Sequence, residues 1–412
     1  MPVSEEKSVP RPRRIYYGWV MVLTLSLTEI TSWGILYYAF SVFLTPIKDS
    51  QGWSVAEITG AYSLALLLSG VAAIPVGRWL DRHGPRVLMT IGSIAATALV
   101  VAWSRVDSLL GFYLVWAGIG LAMAAVLYEP AFQVVAIWFR RHRARALTVL
   151  TFIAGLASVI YIPLSERLVS AYGWREALLI LAVILGCLTI PLHALVLRRS
   201  PEQVGQTPDG LPVSAPVATR DAPEAAVTPR DALRSPAFWW LTGSFVLAML
   251  ATMTMTVHLI PYLIDRGFSS GFAASAAGAI GLLALPGRLI FTPLGERVHR
   301  RVVTAAIFVV QMAALAILVL TPGKWGVVLF VILFGAGFGA ITPARAALVS
   351  DLFGASSYGA INGVVALCIT VARSIAPVGA GLLLVVLGSY TPVIWLAAGL
   401  SGAAALAALR AR

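Results

Sequence analysis

The sequence predicts an all-α membrane protein in which twelve transmembrane helices form two pseudo-symmetric six-helix bundles. Three observations support this prediction: the composition, a set of long apolar segments, and an internal repeat. Apolar residues make up 59% of the 412 residues and charged residues only 12%, whereas a soluble globular protein has about 25% charged residues. With a mean hydropathy of +0.87, the chain lacks the polar surface that a particle of this size needs in water. The composition therefore excludes a soluble enzyme, a disordered chain and a coiled coil.

The apolar segments are long enough to cross a bilayer as helices. A hydrocarbon core about 30 Å thick needs roughly 20 apolar residues in helical form, and continuous apolarity favours helices over the alternating strands of a barrel. Twelve segments meet this criterion: 16–46, 55–78, 87–104, 108–137, 145–167, 176–197, 236–264, 273–295, 302–321, 325–349, 359–387 and 392–409.

The segments fall into two groups of six, separated by a polar interval. We predict a cytoplasmic N-terminal tail (1–14), a first bundle (15–197), a cytoplasmic linker (198–235) and a second bundle (236–412). The linker is rich in proline and has too few apolar residues to bury a core, so we expect it to be flexible.

The net charge of +12 reflects membrane topology rather than binding to nucleic acid. The basic residues form short clusters between the apolar segments instead of a patch on a folded domain. With the N-terminus placed in the cytoplasm, 21 of the 30 Lys and Arg residues face the cytoplasm and six face the other side. This bias predicts that both termini and the linker are cytoplasmic, and we expect a bacterial-type inner membrane.

The two halves repeat each other along the chain. Four pairs of landmarks share an offset of 214 or 215 residues: Asp81 with Glu296, Phe139 with Phe353, Pro163 with Pro377, and Gly173 with Gly388. Parallel repeats of this kind are typical of transporters, whose substrate site lies between the halves near the middle of the membrane.

The loop after the second helix carries the motif Gly77-x-x-x-Asp81-Arg82-x-Gly84-x-Arg86. Gly77 permits close approach of a neighbouring helix, and Gly84 permits a tight turn. Asp81 can accept hydrogen bonds from arginines or from a helix N-terminus, so we predict that the motif latches the two halves in one conformational state. The motif resembles the signature of the major facilitator superfamily, and this resemblance implies a transporter with the twelve-helix fold of that family.

A narrower resemblance links the chain to the monocarboxylate porter and oxalate–formate antiporter branch of that superfamily. It is carried by Tyr17-Gly18-Trp19, by His258-Leu259-Ile260-Pro261-Tyr262 through Gly267, and by Gly287-Arg288 in the eighth helix. In this branch the arginine of the eighth helix contacts the substrate carboxylate, so the resemblance implies that role for Arg288. The branch has an acidic residue one turn before this arginine, whereas this chain has Ala284. The difference indicates that the chain is a relative of the lactate carriers and not itself a close lactate carrier. The resembled fold lines its central cavity with helices 1, 4, 7 and 10.

Five charged residues lie more than three residues from either end of the predicted helices, and at the middle of the membrane each such charge costs roughly 2.5–3.5 kcal/mol on insertion scales. The carboxylates Glu29 and Glu129 lie in the N-terminal half, and the guanidinium groups of Arg288, Arg345 and Arg373 lie in the C-terminal half. Three arginines against two glutamates favour an anionic substrate, which an arginine can bind through two parallel hydrogen bonds. The alternative is that some of these charges only pair with each other, as Glu129 with Arg345.

Aromatic residues accompany both carboxylates. Glu29, Trp33 and Tyr37 share one face of the first helix, and Tyr128 precedes Glu129. An apolar environment favours the neutral form of a carboxyl group, which suits a proton carrier; for the aromatic residues, helix packing is the alternative role. The predicted substrate-binding residues are Arg288, Arg373, Trp33, Tyr37, Tyr128 and Arg345, and the predicted proton-coupling residues are Glu29 and Glu129.

These features together predict a monomeric secondary transporter that moves a small organic anion by alternating access, coupled to protons. The resemblance narrows the anion to a monocarboxylate. A proton-driven exporter of lipophilic compounds would also need carboxylates in the membrane, but it would not need three arginines there. A membrane sensor would need a folded cytoplasmic module, which neither the tail nor the linker resembles. No Walker motif, catalytic triad or cysteine framework is apparent, so we expect no enzymatic activity, no cofactor and no metal.

Overall fold

The computed structural model describes residues 16–139, 142–210, 229–353 and 358–412, apart from some side chains within the helices. Every regular element in these ranges is a helix, and twelve helical spans are long and apolar enough to cross a membrane. The predicted fold class is confirmed, and the predicted tail 1–14 lies outside the described residues. In chain order, spans 1 to 12 consist of Tyr17–Trp33 with Gly34–Tyr38 and Phe40–Gln51; Val55–His83; Pro85–Trp103; Leu109–Val126 with Tyr128–Trp138; Arg143–Ala154 with Ala157–Tyr172; Trp174–Leu195; Pro236–Asp265; Ser270–Arg297; Arg300–Leu320; Lys324–Phe353; Tyr358–Leu387; and Tyr390–Arg410.

Three spans are interrupted along their length. In span 1, Gly34–Tyr38 forms a π-helical turn, in which Ala39 N donates to Gly34 O at 2.8 Å. In span 4, Leu127 has an extended backbone between two helices, and Pro130 has no N–H with which to continue the hydrogen bonds of the first helix. Span 5 is also divided into two helices. Such turns and breaks are frequent at functional sites of membrane proteins.

The internal repeat is visible in the backbone. Gly173 and Gly388 follow spans 5 and 11 with φ angles of 81° and 71°, a conformation that glycine adopts without steric cost. Pro163 and Pro377 lie inside the same two spans. These two pairs of landmarks therefore occupy equivalent places in the two halves.

Spans 2, 4, 6 and 8 end, and spans 3, 5, 7 and 9 begin, at one end of the molecule. We call it the basic end because arginines follow spans 2, 6 and 8 there, and the opposite end is the far end. Arg86 of span 3 donates from Nε to a backbone carbonyl of span 6 at 2.5 Å. The side chain of Arg199, after span 6, packs against Gly84. These contacts join the loop after span 2 to the end of span 6 and the residues that follow it.

The two halves contact each other through spans 2 and 11, 5 and 8, and 1 and 7. Toward the far end, Val378 N donates to Ser63 Oγ at 3.2 Å, and Ser270 Oγ donates to Glu166 Oε1 at 2.8 Å. A hydrophobic cluster there joins residues of both halves, whereas among the described residues each cluster at the basic end belongs to one half alone. In the part of the chain that the structure describes, the halves are thus closed against each other at the far end and separated at the basic end.

Both ends of the interval 198–235, which the sequence predicts to be flexible, are ordered. Asp209 N donates to the Tyr16 hydroxyl at 3.1 Å, and Tyr17 N donates to Gln206 Oε1 at 3.0 Å. Burial of the Tyr16 side chain raises its pKa to about 12. A short helix, Pro229–Arg234, places Ala232 in the core of the second half. Residues 211–228 lie outside the described ranges.

Candidate functional site

A cavity of about 360 Å³ lies between the two halves, on the basic-end side of their contact. Spans 1, 2 and 4 of the first half and span 11 of the second form its wall. Its lining residues are Trp33, Leu66, Ser69, Gly70, Ala73, Ile74, Met123, Leu127, Glu129, Gly363, Ala366, Leu367, Thr370 and Arg373. The lining therefore combines a mostly apolar wall with one acidic and one basic side chain.

Arg373 enters this cavity from span 11, one helical turn before Pro377. Its guanidinium carbon lies 4.7 Å from the centroid of the Tyr37 ring and 5.4 Å from that of the Trp33 ring, so two aromatic faces stabilise the cation. Its Nε is buried without a hydrogen-bond acceptor, and no described carboxylate forms an ion pair with it. Because a buried N–H without an acceptor is unfavourable, this edge of the guanidinium suits an anionic ligand.

The aromatic residues predicted for the site come together beside Arg373. The Trp33 ring centroid lies 4.9 Å from those of Tyr37 and Tyr128, and Tyr128 stacks on Phe132 at 4.9 Å. Tyr37 also reaches the second half, where its hydroxyl lies 3.0 Å from Met253 Sδ. Trp33 lines the cavity directly. Tyr37 and Tyr128 pack against the Trp33 ring and are not part of the lining.

Glu29 lies one helical turn before Trp33 but inside the first half rather than on the cavity wall. Its side chain is fully buried, and neither carboxyl oxygen has a hydrogen-bond partner. A carboxylate ion would lose its hydration here without compensation. The neutral, protonated form of Glu29 therefore fits this conformation best.

Glu129 has a different environment from Glu29. It lies in the first turn of the second helix of span 4, directly after the break at Leu127, and its exposed side chain lines the cavity. The alternative pairing of Glu129 with Arg345 stays a prediction, and the two ion pairs seen among the described residues involve other side chains. Arg345 itself lies in span 10, outside the lining of the cavity.

Arg288 lies in span 8, and its side chain is outside the part of the structure that is described. The preceding residue, Gly287, packs closely against span 10, because a Cβ at this position would lie 2.0 Å from Ala336 O. The backbone at Arg288 is thereby fixed against span 10. The substrate contact that the sequence predicts for Arg288 stays a prediction.

The sequence pattern of the Major Facilitator Superfamily matches residues 25–377. The chain belongs to this superfamily. Monocarboxylate transporter 13 of Bos taurus is 25% identical to it over 382 residues, which cover 91% of this chain and 84% of the relative. The oxalate:formate antiporter of Oxalobacter formigenes is 23% identical over 328 residues, which cover 79% of this chain and 75% of the relative. A crystal structure of the nucleoside transporter NupG has a TM-score of 0.74 at 13% identity, covering 96% of this chain and 99% of that one.

These comparisons confirm the resemblance that the motifs indicate. As a member of the Major Facilitator Superfamily with twelve spans, the protein is a multi-pass membrane transporter with a small-molecule substrate. The similarity to NupG concerns the fold alone.

The facilitator signature motif lies at the basic end, after span 2. Gly84 forms a turn with a φ of 79°, and Arg86 is bonded within its own half. Gly77 faces open space, with nothing within 4 Å of an added Cβ. Arg82 is exposed, and the side chain of Asp81 is outside the described part of the chain. Among the described residues, the contacts of the motif therefore lie within the first half. The motif is at the basic end, where the two halves are separated.

The family resemblance does not predict that span 2 forms part of the cavity wall. The resembled fold implies a lining from helices 1, 4, 7 and 10, whereas the lining described here comes from spans 1, 2, 4 and 11. Gly70 of span 2 approaches span 11 closely, since an added Cβ would lie 2.4 Å from Thr370 Cγ2. The small residues Ser69, Gly70 and Ala73 are the sequence signal that marks this face.

Proposed function

We propose that the protein is a proton-coupled symporter of a small organic monocarboxylate. It acts as a monomer in a bacterial-type inner (plasma) membrane, with both termini in the cytoplasm, and works by alternating access. The observation that carries the proposal is Arg373, a cation within the membrane-spanning part that lines the cavity between the halves and has a buried N–H without an acceptor. The relatives named as a monocarboxylate transporter and an oxalate:formate antiporter support a carboxylate as its ligand.

In this proposal Arg373 is the direct ligand of the substrate carboxylate. Trp33 and Tyr37 hold the guanidinium through its π face, which leaves its N–H edge for two parallel hydrogen bonds to a carboxylate. Arg288 and Arg345 add positive charge to the same half and attract an anion toward it. Arg288 is also the residue to which the family resemblance assigns a substrate contact.

Glu29 carries the proton in this proposal. It is buried one turn from Trp33, which lines the cavity, so hydration of the cavity during the transport cycle would change its surroundings. A carboxyl group that is neutral when dry and ionised when hydrated can take up a proton on one side and release it on the other.

The observed arrangement of the halves supports alternating access. They are closed at the far end and separated at the basic end, which is the inward-facing state in the predicted topology. Rocking of one half against the other would open the far end and bring the signature motif toward the second half. The motif would then act as the latch.

The test is ligand-induced thermal stabilisation of the purified protein in nanodiscs. The probes are acetate, L-lactate, oxalate, 3-phenylpropanoate and L-phenylalanine, with tetraphenylphosphonium for the rival function of exporting lipophilic compounds. A ligand at 100 Kd stabilises the native state by about 2.7 kcal/mol. We expect at least one monocarboxylate to stabilise the parent protein. Arg373→Gln should abolish the effect, and Arg373→Lys, which keeps the charge but loses the planar fork, should weaken binding by about tenfold.

Arg167→Gln, which removes an exposed arginine near the far end, is the matched control and should bind like the parent. Stabilisation by tetraphenylphosphonium alone, or unchanged carboxylate binding in Arg373→Gln, would overturn the proposal.

A further inference from the structure

From the pair of opposite charges in the cavity, we infer that the transported monocarboxylate also carries an ammonium group: the substrate class is α-amino acids with apolar side chains. Arg373 binds the carboxylate and Glu129 binds the ammonium group. This inference rests on the proposed function and assigns Glu129 to substrate recognition rather than to proton transport.

The first observation is that the two charges face the same cavity without neutralising each other. Glu129 comes from span 4 of the first half and Arg373 from span 11 of the second, and both line the cavity. They interact electrostatically, yet no ion pair joins these two described side chains. Because no direct contact joins the two side chains, each can still bind a ligand group of opposite charge. A zwitterion supplies both at once.

The second observation is the contrast between the two membrane carboxyl groups. Glu29 is fully buried without hydrogen bonds and suits a neutral carboxyl, whereas Glu129 is exposed on the cavity wall, in the first turn of a helix that favours negative charge. An ionised Glu129 would repel a simple carboxylate bound to Arg373, but it would attract an ammonium group on the same molecule. The different environments thus separate the two roles.

The third observation is the size and polarity of the remaining wall. Beyond the two charges, the cavity of about 360 Å³ is lined mainly by apolar and small side chains, with Trp33 on one side. This space is larger than acetate or lactate fills. An apolar side chain of the size found in leucine or phenylalanine would occupy this space and bury its surface.

The position of the two charges also gives the ligand a role in the transport cycle. Because Glu129 and Arg373 belong to different halves, only a ligand with both charges bridges them. Such a ligand binds more tightly to a state in which the halves have approached each other, and so favours closure around itself. A simple carboxylate binds only to Arg373 and does not bridge the two halves.

The experiment compares ligands that share an apolar body and differ only in the ammonium group. L-Phenylalanine is paired with 3-phenylpropanoate, and L-leucine with 4-methylpentanoate; binding is measured by calorimetry on the full-length protein in nanodiscs at neutral pH. The variants are Glu129→Gln and Arg373→Gln. The matched control is Glu176→Gln, which also removes an exposed carboxylate from the first turn of a helix, but outside the cavity.

We expect each amino acid to bind the parent protein and the Glu176→Gln control at least about tenfold more tightly than its partner without the ammonium group. Glu129→Gln should remove this preference while keeping the binding of the simple carboxylates. Arg373→Gln should weaken both series.

Equal or tighter binding of the simple carboxylates to the parent, with loss of binding in Arg373→Gln, would overturn this inference and leave the proposed function standing. A preference for the amino acids that persists in Glu129→Gln would also overturn it. If no member of either series bound while acetate or L-lactate did, this inference alone would be overturned. If Arg373→Gln bound all of the ligands like the parent, the proposed function would fail as well.

Discussion

At the residue scale, proton coupling depends on Glu29, whose buried carboxyl group has no hydrogen-bond partner. Glu29→Gln keeps the shape of the side chain and fixes it in a neutral form. If Glu29 carries the proton, this variant can still exchange substrate across the membrane but cannot use a proton gradient. We therefore expect it to lose the stimulation of uptake by external acid. The measurement is uptake of labelled substrate into proteoliposomes. It compares an external buffer more acidic than the lumen with an external buffer at the same pH as the lumen.

The control for this prediction is again Glu176→Gln, which should keep the acid stimulation of the parent. Exchange of labelled for unlabelled substrate, without a proton gradient, shows whether Glu29→Gln is folded and binds its ligand. A Glu29→Gln protein whose uptake still rises with external acid would place the proton site at another residue, and Glu129 would be the next to test.

The residues of the site are only partly predictable from the sequence. The spacing of Trp33 and Tyr37 along one helix predicts that they lie together, and the structure places both beside Arg373. Arg373 lines the cavity, whereas Arg345 does not. This difference depends on how the two halves pack, which a local sequence pattern does not predict. The contrast between Glu29 and Glu129 has the same origin, because burial is a property of the whole bundle.

At the element scale, the position of Arg373 depends on how span 11 is held at Pro377. His258 of span 7 lies with Nε2 3.0 Å from Pro377 O and Nδ1 3.4 Å from the Tyr390 hydroxyl. Because a carbonyl can only accept, Nε2 donates the hydrogen and Nδ1 accepts from Tyr390. His258 thus ties spans 7, 11 and 12 together. We expect His258→Leu to lower the free energy of unfolding by about 1–3 kcal/mol, since it leaves buried polar groups without a partner.

Thermal unfolding in nanodiscs measures this effect, and Tyr390→Phe provides the comparison. Tyr390→Phe removes only the longer of the two contacts, so it should destabilise the protein less than His258→Leu. Stability of His258→Leu equal to that of the parent would show that the histidine does not hold span 11.

The helices themselves are the most predictable part of the molecule. Continuous apolar segments of sufficient length locate all twelve spans, because in a membrane every backbone polar group must be bonded within its own helix. The interruptions are less predictable. Pro130 is a local signal for the break in span 4, but Gly34–Tyr38 is as apolar as its surroundings and carries no such signal for a π-helical turn. The ordered ends of the linker depend on contacts with the bundles, which composition does not encode.

At the scale of the whole molecule, transport requires the far end, closed in this structure, to open. Spans 2 and 11 meet closely there, since a Cβ added at Gly381 would lie 2.8 Å from Thr59 Oγ1. Cysteines at these two positions would be close enough for a disulfide. We expect the double variant Thr59→Cys and Gly381→Cys, made in a background with Cys187→Ala and Cys368→Ala, to stop transport when oxidised and to recover it when reduced.

Two features make this prediction specific to alternating access. The oxidised protein remains separated at the basic end, so it should still bind its ligand from that side, as calorimetry would show. Each single cysteine variant should transport equally well with and without the oxidant, which excludes an effect of the substitutions or of the reagent. A cross-linked protein that transports at the rate of its reduced form would mean that substrate crosses without separation of spans 2 and 11 at the far end. The two halves would then not rock against each other, and the bridging of Glu129 and Arg373 by one ligand could not drive their movement.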